Sequence, residues 1–323
     1  MIHTKHLARC SRIIARAIIS ASVFEHNITT PRECLPSVSS ARSAANISGN
    51  TKQDSKPAHK VYATCCGFPK DMVNGPSVVL DHGVFGDDAC FISKYRNTHV
   101  VGVADGVGGW RRYGVDPSAF SRRLMRICSD LVESGDFEPC RPDILLAHAF
   151  QTLSTPPRPI GSSTACVLVV HQGTLYSANL GDSGYCVLRE GSIICRSREQ
   201  VHYFNAPFQL SLPPENLDVY TGFIGDPPDR AELQTLPLKS GDLIVLATDG
   251  LWDNVGEDVI VKQLARIKPG DLQAACNALA LTARRLAFDT HQLSPFAIKA
   301  SLHGIDAPGG KPDDITLVLV FIA

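Results

Sequence analysis

His99-Val100-Val101-Gly102-Val103-Ala104-Asp105-Gly106-Val107-Gly108-Gly109-Trp110 is an apolar, valine-dense run that stops at one carboxylate followed by glycines. Val100, Val101 and Val103 favour a pleated, buried strand. Gly106, Gly108 and Gly109 let the backbone turn tightly and bring its carbonyls close to whatever Asp105 holds. A carboxylate beside an exposed carbonyl is a donor pair for a hard cation.

The same design returns at Asp242-Leu243-Ile244-Val245-Leu246-Ala247-Thr248, an apolar strand that delivers Asp249, with Gly250, Leu251, Trp252 and Asp253 behind it. Asp313-Asp314 opens the last apolar run, Ile315 to Ile322, and Asp87-Asp88 precedes Ala89-Cys90-Phe91-Ile92. One Asp-Gly pair is an ordinary turn. Four acidic edges on one set of core strands point instead to a shared cation, because a buried, unpartnered carboxylate costs several kcal/mol, on the order of a lost ion pair.

The chain has 323 residues, is 44% hydrophobic and carries a formal net charge of −1. That length supports a large core, the charge argues against a nucleic-acid footprint, and no apolar run approaches the ~18 residues of a membrane span. The first residues differ from the rest. Lys5, Arg9, Arg12 and Arg16 share one helical face, Leu7, Ile14, Ile18 and Ala21 another, and no acid precedes Glu25. An amphipathic, Arg-rich, acid-free segment reads as a mitochondrial transit peptide over 1–24 and places the protein in mitochondria, in the matrix. Residues 25–60, rich in Ser, Thr, Asn, Pro and Ala without a sustained period, read as a disordered linker, and the folded domain as 61–323. The eleven cysteines are scattered and show no C-x-x-C spacing, so they read as small buried hydrophobes.

Apolar spacing predicts helices over 117–134, with Asp116 as cap, over 143–153, and later over 257–266 and 272–288. Between the two pairs, runs at 166–171, 175–180, 185–189 and 192–196 read as an antiparallel meander with Gln172-Gly173 and Glu190-Gly191 as turns, and Gly181-Asp182-Ser183 puts one more carboxylate in a turn. Arg198 to Ser240, proline-rich and aromatic, reads either as a flap that selects substrates or as a surface excursion. The order of elements predicts an α+β fold, a four-layer α-β-β-α sandwich of two antiparallel sheets flanked by helices.

Gly86-Asp87-Asp88-Ala89, Ala104-Asp105-Gly106-Val107-Gly108-Gly109, Gly161-Ser162-Ser163-Thr164-Ala165, Asn179-Leu180-Gly181-Asp182-Ser183, Ala247-Thr248-Asp249-Gly250-Leu251-Trp252-Asp253 and Asp313-Asp314-Ile315-Thr316 stand in the order seen in metal-dependent type 2C protein serine/threonine phosphatases. From about Val61 to Ala323 the chain resembles that family, and in its Val-Gly-Gly-Trp variant and leader it is similar to the mitochondrial branch. The resemblance implies that Asp105 bridges two Mn²⁺ or Mg²⁺ ions, that the Gly106 carbonyl ligates one of them, and that Asp249 and Asp313 hold the other. It implies that one of Asp87 and Asp88, with Asp88 assigned here, acts through metal-bound water, and that Asp182 serves a weaker third site. Asp105 and Asp249 are then the catalytic pair, water is the nucleophile, phosphoproteins are the substrates, and the enzyme works as a monomer.

Two departures follow. Many members carry His where this chain has Val107, and many carry an arginine just before the acidic pair, where this chain has none between Ser43 and Tyr95. Lys70, Arg111 or Arg112 could replace that arginine. A phosphatase-like binding module without turnover is the alternative these departures leave, and a two-metal nuclease lacks a basic surface.

Overall fold

The computed structural model describes residues 60–70, 84–214 and 223–323. The expected leader and all but the last residue of the expected linker lie outside the described residues.

In chain order the elements are β1 (Val61–Phe68), β2 (Val84–Phe85), β3 (Asp88–Tyr95), β4 (Thr98–Asp105), α1 (Ser118–Ser134), α2 (Pro142–Leu153), β5 (Gly161–Ser163), β6 (Ala165–His171), β7 (Thr174–Leu180) and β8 (Gly184–Arg189). There follow β9 (Ser192–Arg196), β10 (Val201–Tyr203), β11 (Ala206–Pro207), β12 (Leu210–Leu212), β13 (Glu232–Pro237), β14 (Leu243–Ala247), α3 (Asp249–Trp252), α4 (Glu257–Leu264), α5 (Leu272–Ala287), α6 (Pro295–Leu302) and β15 (Ile315–Ile322).

Two antiparallel sheets carry the fold, one ordered β13-β7-β6-β4-β3-β2 and the other β1-β15-β14-β8-β9. Alternation along the strands explains why they stack. On β4, Val101 and Val103 join Leu168, Ile244, Leu246 and Val318 between the sheets, while Val100 and Ala104 face Phe120, Leu124 and Leu145 of α1 and α2. On the far side Val245, Leu317 and Leu319 pack against Cys276, Leu279 and Ala283 of α5. Strands buried on both faces read as continuous apolar runs, and the result is the expected α-β-β-α sandwich.

Three expectations need correction. The meander is broken. β6 pairs with β7 and β8 with β9, but β7 and β8 lie in different sheets. The chain crosses between sheets at Gly181-Asp182-Ser183, where Gly181 has φ 112° and a Cβ would stand 2.7 Å from the Phe208 carbonyl. Within Arg198–Ser240, Glu232–Pro237 forms a strand paired residue by residue with β7, and its alternating exposure shows the period-2 pattern of an edge. Finally, α6 is an additional helix, capped by Ser294, whose hydroxyl accepts from the Ala297 N–H at 3.0 Å. Among the described residues no helix is long and apolar enough to cross a membrane.

Candidate active site

The acids meet where strand ends from both sheets face each other. Asp105, the last residue of β4, is fixed through its backbone. Its N–H donates to Thr164 Oγ1 and its carbonyl accepts from the Thr164 N–H, each at 3.0 Å. Thr164 Oγ1 is in turn 2.8 Å from Ser183 Oγ, the neighbour of Asp182. Opposite Asp105 in the ladder stands Asp88, the first residue of β3. From the other sheet, Thr248 Oγ1 donates to Asp88 Oδ2 at 2.7 Å and places Asp249 at the start of α3. Carboxylate oxygens of Asp105, Asp182 and Asp249 thereby lie within 4.8 Å of one another.

The other acids form a ring around these three. Asp314 Oδ1 accepts from the Lys70 N–H at 2.7 Å and Oδ2 from the Asp87 N–H at 2.8 Å. Asp313 reaches the group through Lys311, whose Nζ lies 3.5 Å from it and also bonds Asp249 and Asp253. Gly106 donates its N–H to the Asp87 carbonyl at 3.2 Å. A Cβ there would stand 2.5 Å from that carbonyl oxygen and 2.7 Å from that of Pro117, so only glycine fits the approach.

The electrostatics record burial and crowding of the carboxyls. Burial, then Asp314, pushes the Asp88 carboxyl well above its usual range. Burial also raises Asp253, against the opposing pull of Lys311. Asp314 is pushed up to about 6, chiefly by burial and by Asp313, with Lys70 opposing. Burial lowers the Lys70 ammonium, but Asp313, Asp314, Asp87 and Asp105 more than offset this and raise it. Among the described residues Lys70, Lys311, Lys299 and Arg111 each form ion pairs within this group of acids. Hard oxygen donors gathered this closely fit a divalent cation such as Mn²⁺ or Mg²⁺.

The structure therefore gathers Asp105, Asp182 and Asp249 directly, brings in Asp313 through Lys311, and holds Asp88 by Thr248. Sequence reasoning gave no role to Lys311, Asp253 or Thr248. Asp253 was legible, since it stands four residues after Asp249 and so shares its face once a helical turn forms. Of the candidate phosphate-gripping residues, Lys70 is committed to Asp87 at 3.4 Å and Asp314 at 3.6 Å. Arg112 lies over the Tyr113 ring at 5.2 Å. Arg111 bonds Asp87 with half its side chain in solvent.

Comparison with known proteins agrees with this geometry. Residues 78–270 match the family described as Protein phosphatase 2C. The human Protein phosphatase PTC7 homolog is 46% identical over 266 residues, covering 80% of this chain and 86% of its own length. The Xenopus laevis PTC7 homolog is 42% identical and covers 87% and 95%. Among solved structures, the photosystem II phosphatase PBCP superposes with a TM-score of 0.67 at 28% identity over 82% of this chain and 99% of its own. A Streptococcus agalactiae serine/threonine phosphatase, at 15% identity and a TM-score of 0.55 over 82% and 100%, shares the fold. With the acidic strand ends converging as they do, the chain belongs to the protein phosphatase 2C family and is a protein serine/threonine phosphatase.

Proposed function

We propose that the enzyme hydrolyses phosphoserine and phosphothreonine on mitochondrial proteins at a centre of two divalent cations, Mn²⁺ or Mg²⁺. The observation that carries this reading is the convergence of Asp105, Asp182 and Asp249 within 4.8 Å. Asp105, Asp249 and Asp313, with the Gly106 carbonyl, would hold the pair, and Asp88 and Asp182 would complete the surroundings. Cations bound there lower the pKa of water and neutralise the phosphoryl oxygens.

The chain's own residues set the rest. Arg111, more exposed than Lys70 and held by one carboxylate, turns its planar fork to the phosphate, the geometry that suits bidentate recognition. Lys70 and Lys311 stay among the acids as counter-charges. Val107 is buried and donates its N–H to the Ser162 carbonyl at 3.0 Å. It carries no titratable proton, so the leaving serine or threonine oxygen takes its proton from water at the centre or from another residue. All the carboxylates come from one chain, so a monomer suffices. The convergence of the acids also favours turnover over a binding module without activity.

The test is phosphate release from a phosphothreonine peptide by the full-length protein, with and without chelator. Turnover should vanish with EDTA and return with Mn²⁺ or Mg²⁺. Activity that survives complete chelation would overturn the metal centre. The Arg-rich leader supports the location. Residues 1–24 fused to a fluorescent protein should direct it into mitochondria, and a cytosolic signal would remove that part of the proposal.

A further inference from the structure

A cleft of about 310 Å³ opens beside the acids, between the β10–β11 hairpin and α6. Its lining is mixed, with Asp182, Asp253, Glu199 and Lys299 among the polar members and Val201, Phe204, Phe296 and Leu302 the apolar ones. The Phe204 ring lies 5.4 Å from that of Phe296 and 5.2 Å from that of His303, so hairpin and helix meet through aromatic faces. Leu302 is 83% exposed. Val201, which lines the cleft with it, is 37% exposed. Exposed apolar surface concentrated beside a reaction centre marks a contact site.

Charge decides what the cleft accepts. Lys299 is already paired with Glu199 at 2.5 Å and with Asp253 at 3.7 Å, and Asp253 is further held by Lys311. An acidic guest would face Asp182, Asp253 and Glu199, and a basic one would compete with Lys299 for Glu199 and Asp253. The apolar contact on offer comes from Val201, Phe204, Phe296 and Leu302. Continuity sets the position, since Asp182 is at once a wall of the cleft and a member of the carboxylate group. A polypeptide whose phosphate is held by cations at that group has the cleft within reach of residues close to the phosphorylated one.

We propose that this cleft is a subsite for a large apolar side chain of the protein substrate, a few residues from the phosphorylated serine or threonine, and that it selects among phosphoproteins. The inference rests on the cation centre at Asp105, Asp249 and Asp313 that receives the phosphate, as proposed above. Large apolar side chains anchor protein contacts by filling such pockets, and discrimination by an apolar pocket is worth roughly 10- to 200-fold in kcat/KM.

The experiment uses full-length enzyme with Mn²⁺, p-nitrophenyl phosphate as a substrate without flanking residues, and phosphothreonine peptides carrying Phe, Leu, Ala or Asp at each nearby position. At one or more positions the Phe or Leu peptides should exceed the Ala peptide by about tenfold or more in kcat/KM. Leu302→Asp, at an exposed wall of the cleft and outside the metal-holding acids, should erase that preference while p-nitrophenyl phosphate turnover stays unchanged. Phe204→Ala should weaken it in the same direction. Equal use of all peptides by the wild type, or a preference that survives Leu302→Asp, overturns the subsite and leaves the metal centre standing. Failure of the wild type on every phosphoester strikes the metal-centre reading itself, and the subsite falls with it.

Discussion

β4 and β14 both run apolar into Asp-Gly, yet the chain leaves them in different ways. After Asp105 the backbone stays extended, Gly106 bridges to Ser163, and a 3₁₀ turn begins at Gly108. After Thr248 the backbone winds at once into α3, with Asp249 as its first residue and Trp252 buried at its end. The cause is what each glycine is pressed against. Gly106 meets the Asp87 and Pro117 carbonyls, loops of its own half of the molecule, whereas Gly250 meets the Asp314 carbonyl at the entry to β15. One acid is thus positioned by the six-stranded sheet and its helices, the other by the five-stranded sheet, and the centre exists because the sandwich aligns the two ends.

The largest effect should come from removing either acid. Asp105→Asn keeps the backbone bonds to Thr164, and Asp249→Asn leaves Lys311 paired with Asp253, so both variants should fold. Each should lose more than about 100-fold in phosphopeptide kcat/KM, beyond the range seen when groups merely supporting a metal ligand are removed. If one variant keeps a tenth of wild-type activity, that strand end is dispensable and the comparison fails.

Next in size is the response to cation. Binding at a hundredfold excess over Kd stabilises the folded protein by about 2.7 kcal/mol, and the Mn²⁺-induced rise in Tm should be larger near pH 7.5 than near pH 5.5. The sign follows from Asp314, pushed up to about 6 by burial and Asp313 against the pull of Lys70. Below that value the protonated acid lightens the negative charge that draws the cation in. Above it the metal-free fold bears the full repulsion, and the cation relieves it. An equal Tm shift at both pH values would contradict this.

The two glycines allow a finer comparison. A Cβ at Gly250 would stand 2.0 Å from the Asp314 carbonyl oxygen, and at Gly106 2.5 Å from that of Asp87. In both cases backbone must move, at a cost of roughly 1–3 kcal/mol. Urea denaturation should rank Gly250→Ala as the more damaging of the two, and the reverse order would show that the first Asp-Gly end is the more rigid.

Much of this arrangement could be read from residue order, because valine-rich runs ending in Asp-Gly are local signals. The acids, the two sheets and the helices over Ser118–Ser134 and Leu272–Ala287 are encoded in short periods. Partners from distant segments were not legible. Nothing near Gly181 announces that the next strand joins the other sheet, since β7 and β8 look like successive members of one meander until each finds its neighbours. Lys311 sits in a Gly-Gly-Lys-Pro turn and reads as a solvated charge, and it gains its role only when β15 docks beside α3. Thr248 resembles a helix cap, yet its hydroxyl donates to Asp88 rather than accepting from its own helix.

That last detail sets up the smallest prediction, because the two ends differ in how their following helices begin. Asp116 Oδ1 accepts from the Ser118 N–H at 3.0 Å and from Ser118 Oγ at 2.7 Å. It thereby fixes the start of α1, from which Pro117 presses on Gly106. The Ser118 hydroxyl, then its backbone N–H, holds the Asp116 carboxyl below its ordinary value, while slight burial opposes. The cap position itself is Pro117, not the expected Asp116, so Asp116→Ala should cost only about 0.5 kcal/mol near neutral pH, the low end for a hydrogen bond made in solvent. A depressed carboxyl stabilises above its unfolded pKa, and that contribution is lost as the pH falls through the folded value. The difference between wild type and variant should accordingly hold from pH 7 to about 5 and close below the ordinary carboxylate pKa of 3.8. Thr248→Val, which removes the bond to Asp88 but no cap, should show no such convergence. Parallel pH profiles for the two variants would mean that Asp116 acts by packing and not by its charge.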